Sequence, residues 1–306
     1  MGKGQGAIVL LIIVGLVALF LIFSPQLFKA GPTAAPIVYK NDIISLENFE
    51  ISNLKPISGS KLTISFDVRN NGDKTVNIVD IGFEGTTNLP NINIRECEGV
   101  TPDNRNKVCK FPRLISLDTR RVVADYTAPE PFSATIQVKT TYPNQGFREA
   151  SIPIADDRTV RTPQVKFRQS QPSFGPFVVD VIPPTKGWAI ADHPFELAFK
   201  LRFVGSTAVG TPTEPLDKLK LQKRVFRVDL QGLKVVSCPQ LTKISDTIIN
   251  NDIDMVVNKE YSCNFQATGA AGTFGYKLGI VQIGFGYDYG FVRSQTITIR
   301  PAPPSK

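Results

Sequence analysis

The sequence predicts a mostly β protein, with an N-terminal transmembrane α-helix followed by two tandem β-sandwich domains. Three observations predict it. An apolar run without a single charge extends from Ala7 to Phe23. After Pro36, short alternating apolar and polar segments recur about every ten residues between Gly- and Pro-rich turns, as sandwich strands do. Two stretches of the first half also align, in the same order, with two of the second, as a duplicated unit would.

The apolar run rises about 25 Å as a helix at ~1.5 Å per residue, and about 33 Å when carried on to Phe28, enough to cross a hydrocarbon core of ~30 Å. Lys3 gives it a short positive flank, and no Ala-x-Ala site follows it as in a cleaved secretory signal. Residues 1–30 therefore read as a membrane anchor or signal segment, touching lipid through residues 7–28. The start Lys3-Gly4-Gln5-Gly6-Ala7-Ile8 resembles the class III signal peptides of archaeal type IV pilin-like proteins. That resemblance implies a processing site between Gly4 and Gln5, retention of the apolar segment, and export to an archaeal cell surface. Val9 departs from the pattern, standing where such pilins carry a glutamate that pairs during assembly. Pro25 and Pro32 also interrupt a helix that in pilins continues into the head.

Lys61 to Val68 alternates strictly, placing Leu62, Ile64, Phe66 and Val68 on one face of a strand. Asn70-Asn71-Gly72-Asp73 supplies a turn, with Asn and Gly accepting positive φ, and a second strand is expected over Thr75 to Phe83. This strand and turn resemble adhesion-type immunoglobulin-like modules, which implies an immunoglobulin-like sandwich and brings no site with it.

The internal repeat matches Ile136–Ile154 with Val281–Ile299 without gaps, pairing Gln137 with Gln282, Tyr142 with Tyr287, Arg148 with Arg293, and Ile152 with Ile297. Leu62–Gly72 matches Phe195–Gly205, pairing Phe66 with Phe199, Arg69 with Arg202 and Gly72 with Gly205. Each unit reads as an early alternating strand, a turn, a central region with two cysteines, and a final hairpin ending in alternating isoleucines. The boundaries are 37–156 for the first sandwich, 157–173 for a linker and 174–301 for the second sandwich.

Cys97, Cys109, Cys238 and Cys263 show no zinc-knuckle spacing, and His193 is the only histidine. Two local disulfides fit, one per half, with two pairs of buried thiols as the alternative; disulfides place the bulk of the chain in an oxidising compartment. His193 lies just before a strand and reads as a turn residue rather than a catalytic base. Glu47, Glu50, Asp156 and Asp157 read as solvated carboxylates, with no partner group converging on them. Asn250 to Asp254 gathers oxygen donors, yet lacks the glycine and distal glutamate of a calcium loop. No catalytic residue, metal or cofactor is expected.

Two segments are candidate interfaces. Gly284 to Phe291 alternates glycine with aromatics; it has no phosphate-loop pattern, and Tyr287, Tyr289 and Phe291 either pack in a twisted terminal hairpin or form an adhesive patch. The net charge of +8 is concentrated partly in Lys218, Lys220, Lys223, Arg224 and Arg227. These read as the basic outer face of a half-buried strand, or as a contact for an anionic envelope polymer or lipid headgroups. Nucleic acid is not expected, because no nucleic-acid motif accompanies the charge. The function that follows is a non-enzymatic, single-pass cell-membrane protein with structural or adhesive work, presenting two extracellular sandwiches to an unknown protein or envelope partner. The alternative is a pilin-like filament subunit, cut between Gly4 and Gln5, that self-assembles through its apolar helix.

Overall fold

The computed structural model describes residues 42–131, 133–155, 165–206, 209–268 and 276–303. Lys40–Lys306 forms one compact unit. Its first half contributes β1 (Ile44–Ile51), β2 (Lys61–Asn70), β3 (Val76–Gly82), β4 (Ile92–Cys97), β5 (Val108–Leu114), β6 (Thr119–Thr127) and β7 (Ser133–Ala155). After it come β8 (Arg168–Gln169), β9 (Phe177–Ile182), β10 (Ala189–Ile190), β11 (Phe195–Phe203), β12 (Thr211–Pro212) and β13 (Lys220–Leu221). The chain continues through β14 (Phe226–Gln231), β15 (Leu233–Ser237), β16 (Thr242–Ser245), β17 (Ile248–Asn250), β18 (Met255–Val256), β19 (Glu260–Ala267) and β20 (Tyr276–Thr298).

Alternation fixes which face of each strand is buried. On β2, Leu62, Ile64, Phe66 and Val68 are all at most 2% exposed, as the period-2 pattern requires. The turn after β2 forms differently from expectation. No residue of Asn70 to Asp73 has positive φ. Instead the buried Asn70 side chain organises the turn: its Oδ1 accepts from the Gly72 amide at 2.9 Å, and its Nδ2 donates to the carbonyls of Lys74, Leu114 and Ile115 at 2.8–3.0 Å.

The duplication is visible strand by strand. One four-stranded sheet has the order β1-β2-β6-β4, and its counterpart has the order β9-β11-β19-β15. Both are packed against a single sheet of order β16-β17-β14-β20-β7-β3-β5, flanked by β8 and β10 on β7 and by β12 on β20. Its centre is an antiparallel pair of two 23-residue strands, running from Ser133↔Thr298 to Ala155↔Tyr276.

This pair corrects the expected fold class. The described residues are β throughout, apart from a 3-10 turn at Leu89–Asn91, and none of their helices is long and apolar enough to cross a membrane. The apolar run on which a transmembrane helix was expected lies outside the described residues, as do residues 157–164 of the expected linker. The two halves are not tandem sandwiches in sequence, because they share their central sheet. The hairpins expected at Ile136–Ile154 and Val281–Ile299 are single unbroken strands.

The physical reason is a local two-fold symmetry. Pro143 and Asp288 are repeat equivalents, and they are also register partners. Ile152 pairs with Gly279, and its repeat mate Ile297 pairs with Ala134, the equivalent of Gly279. The two related strands therefore zip together antiparallel about the Pro143–Asp288 pair. On one side of it, β7 is bonded to β3 of its own half at Lys139–Thr141. On the other side, Ala150–Ser151 pairs with β8 and Ile154–Ala155 with β10. The second strand behaves likewise: Ile280–Phe285 pairs with β14, whereas Thr298 and Arg300 bond to Leu54, Pro56 and Ser58 of the first half.

Each half is thus completed by a strand from the other. Of the described residues, those between 144 and 287 form one sandwich, and those of 42–143 together with 288–300 form the other. Proline is tolerated in the middle of β7 because odd-numbered residues there face away from β20, as the Phe147 carbonyl bonded to the Ser173 amide shows. The amide that Pro143 lacks would point between β3 and the Ser173 segment, not into the long pair.

Candidate functional site

The described residues hold no cluster of three metal-ligating side chains. Asn250–Asp254, the calcium candidate, is built for another task. Asn251 is fully buried; its Oδ1 accepts from the Phe226 amide at 3.0 Å, and its Nδ2 donates to the Gln222 and Ile253 carbonyls at 2.7 and 2.9 Å. Asp254 is spent on Lys220, at 2.7 Å, and on the Lys223 amide. The hydrogen bond from Lys220 holds the Asp254 carboxyl below the usual carboxylate range.

The basic segment is not one half-buried strand. Lys220–Leu221 forms a two-residue ladder with Met255–Val256, Lys223 and Arg224 make an exposed turn with Arg224 at φ 68°, and Phe226 begins β14. Lys220 and Arg227 pair with Asp254 and Asp229. Lys218, Lys223 and Arg224 are exposed and make no ion pair among the described residues. They form a small cationic knuckle next in sequence to Leu219, Lys220, Gln222 and Val225, which line a cleft.

The glycine and aromatic segment is packed rather than displayed. Tyr287, Tyr289 and Phe291 are 9%, 3% and 1% exposed, in line with the packing alternative and against a surface patch. Tyr289 sits edge-on to Tyr142 at 5.8 Å and to Phe177 at 6.2 Å, and Tyr287 lies 4.8 Å from Phe177. Phe285 covers its cross-strand partner Gly146, where a Cβ would stand 2.0 Å from the ring. Glycine is required there because the opposing ring occupies the space of a side chain.

These aromatics form the seam where the long strands cross between halves, and polar groups close its margins. The Asn144 Nδ2 donates to the Tyr287 hydroxyl at 2.6 Å. The Ser206 amide donates to the buried Asp42 carboxylate at 2.9 and 3.2 Å, tying the start of the first half to a loop of the second. Burial pushes the Asp42 carboxyl up, and the Ser206 hydrogen bond offsets part of that rise. Burial likewise pushes the Tyr142 phenol well above its usual range, and the Tyr289 phenol upward.

Arginines matched in the repeat occupy equivalent places. Arg148 reaches Asp180 on β9 at 3.3 Å, and Asp180 also pairs with Arg202. In the other sandwich Arg69 pairs with Glu47 on β1 at 3.4 Å, while Arg293 lies over the Phe49 ring at 5.1 Å and donates to the Leu46 carbonyl. Each exchanged strand thus brings one arginine onto the first strand of the sandwich it completes. The sequence contained this signal in the Arg69/Arg202 and Arg148/Arg293 matches, but not the direction in which each would reach.

Two clefts open beside the seam. One, of about 230 Å³, lies between Gly72–Asn77 and Pro143–Gln145. The other, of about 360 Å³, lies between Leu219–Val225 and Gly286–Gly290 and is bordered by Lys220 and Glu214. Both are open and shallow, without a converging set of catalytic groups among the described residues.

Both disulfides join the expected pairs. Cys97–Cys109 links β4 to β5, and so one sheet to the other, whereas Cys238–Cys263 links the end of β15 to its neighbour β19 within one sheet. They are therefore not repeat equivalents. The processing site at Gly4 and Gln5 lies outside the described residues.

No family model matches the chain, and no curated protein matches it. Among solved structures it is similar to the secreted serine protease VesC of Vibrio cholerae, with 9% identity and a TM-score of 0.19 over 83% of this chain and 52% of that one. The chain thus spans about half the length of that protease. It is also similar to the 35 kDa C-terminal fragment of the major pilin GBS80 of Streptococcus agalactiae, with 9% identity and a TM-score of 0.20 over 78% of this chain and 84% of that one. The C-terminal domain of the AgI/II polypeptide BspA of the same organism follows, with 11% identity and a TM-score of 0.18 over 84% of this chain and 97% of that one. Likenesses this slight carry no argument about what the chain does.

Proposed function

We propose that this chain is a non-enzymatic surface protein with a structural or adhesive role, its two β-sandwich halves outside the cell and its apolar N-terminal run holding it at the cell membrane. The observation that carries the reading is the pair of disulfides, one in each half. Such bonds persist in oxidising compartments and are rare where thiols are kept reduced. The long shared sheet supports it, since a 23-residue antiparallel pair joins the halves into one body suited to bearing load. The exposed Lys218, Lys223 and Arg224 suit contact with an anionic envelope polymer or headgroup.

Protease treatment of intact cells, followed by nonreducing peptide mapping, tests this. The expected result is removal of the β halves from the outside, with Cys97–Cys109 and Cys238–Cys263 as linked peptides. Protection from protease in intact cells together with four free thiols would sink the reading. A second reading, a filament subunit cut between Gly4 and Gln5, is favoured by the Lys3-Gly4-Gln5-Gly6 start. Mass spectrometry of the mature N-terminus and electron microscopy of the cell surface separate the two: an intact Met1 or Gly2 terminus removes the filament reading.

A further inference from the structure

We propose that two copies of this chain exchange strands through the long central pair, so that β20 of one copy completes the first sandwich of the other. The partner is a second copy of the chain, and the interaction surface is the edge of β7 that β20 now covers. The inference stands on repeat and register, and it holds whether or not the adhesive reading does.

The argument starts from what the pair contains. Every one of its contacts joins a residue of one repeat to a residue of the other, from Ala134↔Ile297 through Tyr142↔Tyr289 to Ile152↔Gly279. None of them depends on the two strands being in the same molecule. A second copy offers the same Ile297 to Ala134 and the same Tyr289 to Tyr142, so exchange creates no new contact and loses none. What separates the closed from the exchanged form is the effective concentration of the tethered strand, of order mM for short flexible connections, together with any strain in the connections.

The strand also has a place to part. Gly284, Gly286 and Gly290 flank the crossing point at Asp288, and glycine absorbs the backbone change that redirecting a strand requires. Beyond the crossing, β20 is an edge strand of the first sandwich. Among the described residues its outer side is covered by β12, by the Thr213 amide bonded to the Gly290 carbonyl, and by the bonds of Thr298 and Arg300 with Leu54, Pro56 and Ser58. Releasing it breaks the ladder to β7, these flanking hydrogen bonds and the contacts of Arg293 with Leu46 and Phe49, and uncovers Phe291 and Ile297, all of which the second copy's strand restores.

The register supplies a probe. Thr135 directs its amide and carbonyl to Thr87, away from β20, so Thr135 and Thr296 form a non-hydrogen-bonded pair. Side chains are closest in such pairs, which suits a disulfide. The full chain carrying Thr135→Cys is mixed with isotope-labelled full chain carrying Thr296→Cys, incubated across a range of concentrations, and oxidised.

The expected product is a covalent heterodimer containing one chain of each kind. In an equal mixture its yield should rise with concentration toward about a quarter of the protein near ~1 mM, the order of the effective concentration, since only half of the exchanged pairs are mixed. The double variant, diluted, should close within one chain. A control mixture of Thr135→Cys with Ser245→Cys, whose positions lie on different strands and do not pair, should give at least about tenfold less heterodimer. The proposal is overturned if the test pair gives no more heterodimer than the control while the double variant closes internally. Failure of the double variant to close would overturn the register itself, and the proposal with it.

Discussion

Replacing Ile297 by alanine tests to which half the end of β20 belongs. Ile297 belongs to the second half in sequence, yet it pairs with Ala134 and is 1% exposed on the face that closes the first sandwich. The change removes a buried branched side chain, for which core truncations cost ~2–5 kcal/mol. Each kcal/mol lowers Tm by about 2–4 °C in a domain of this size. The informative assay is hydrogen exchange read by mass spectrometry. Protection should fall first in β1, β2, β6 and Ser133–Tyr142, while β9, β11 and β19 keep theirs. Ile152→Ala, the repeat-equivalent change, should give the mirror result. Loss of protection in β9, β11 and β19 before the first half in the Ile297 variant would refute the exchanged-strand architecture.

Other outcomes follow from particular contacts. Gly146→Ala should cost ~1–3 kcal/mol by forcing Phe285 off its seat, as overpacking does, and thermal or urea unfolding would register it. Asn251→Ala should cost ~1–3 kcal/mol or more by leaving the buried Phe226 amide without its acceptor, measured the same way. The Asp42 carboxyl is raised in the folded protein by burial, so the charged form opposes folding: stability from this group is greatest below the unfolded value of 3.8 and declines as pH rises through the folded value. Asp42→Asn keeps an acceptor for the Ser206 amide, and should raise the urea midpoint at pH 7 and flatten that part of the pH profile. Replacing Cys97 and Cys109 together by serine should cost about 3 kcal/mol, and Cys238 with Cys263 about 3.5 kcal/mol, by the loop-entropy relation; equilibrium unfolding would check both.

Much of the local structure is legible before any fold is known. The alternation of Leu62, Ile64, Phe66 and Val68 specifies a strand and its buried face, because side chains of a strand alternate whatever lies across from it. The matched segments announce a duplication, and the sheet orders β1-β2-β6-β4 and β9-β11-β19-β15 confirm it. The cysteine pairs are legible from their closeness along the chain. The turn within Lys218 to Arg227 is not legible in the sequence, because alternation over a few residues does not reveal a turn that Arg224 makes at positive φ and the Asn251 side chain clamps from a distant segment.

What the sequence by itself determined is therefore a period-2 pattern, a repeat and two local cysteine pairs. Only the tertiary structure decided which half each long strand completes, that Tyr287, Tyr289 and Phe291 are interior, and that Arg148 and Arg293 serve the sandwiches across the crossing point. The physical reason is that a strand's side-chain period fixes its faces but not its edges. Hydrogen-bond partners along those edges are chosen by long-range register, and two repeats with the same pattern fit one another's edges as well as their own.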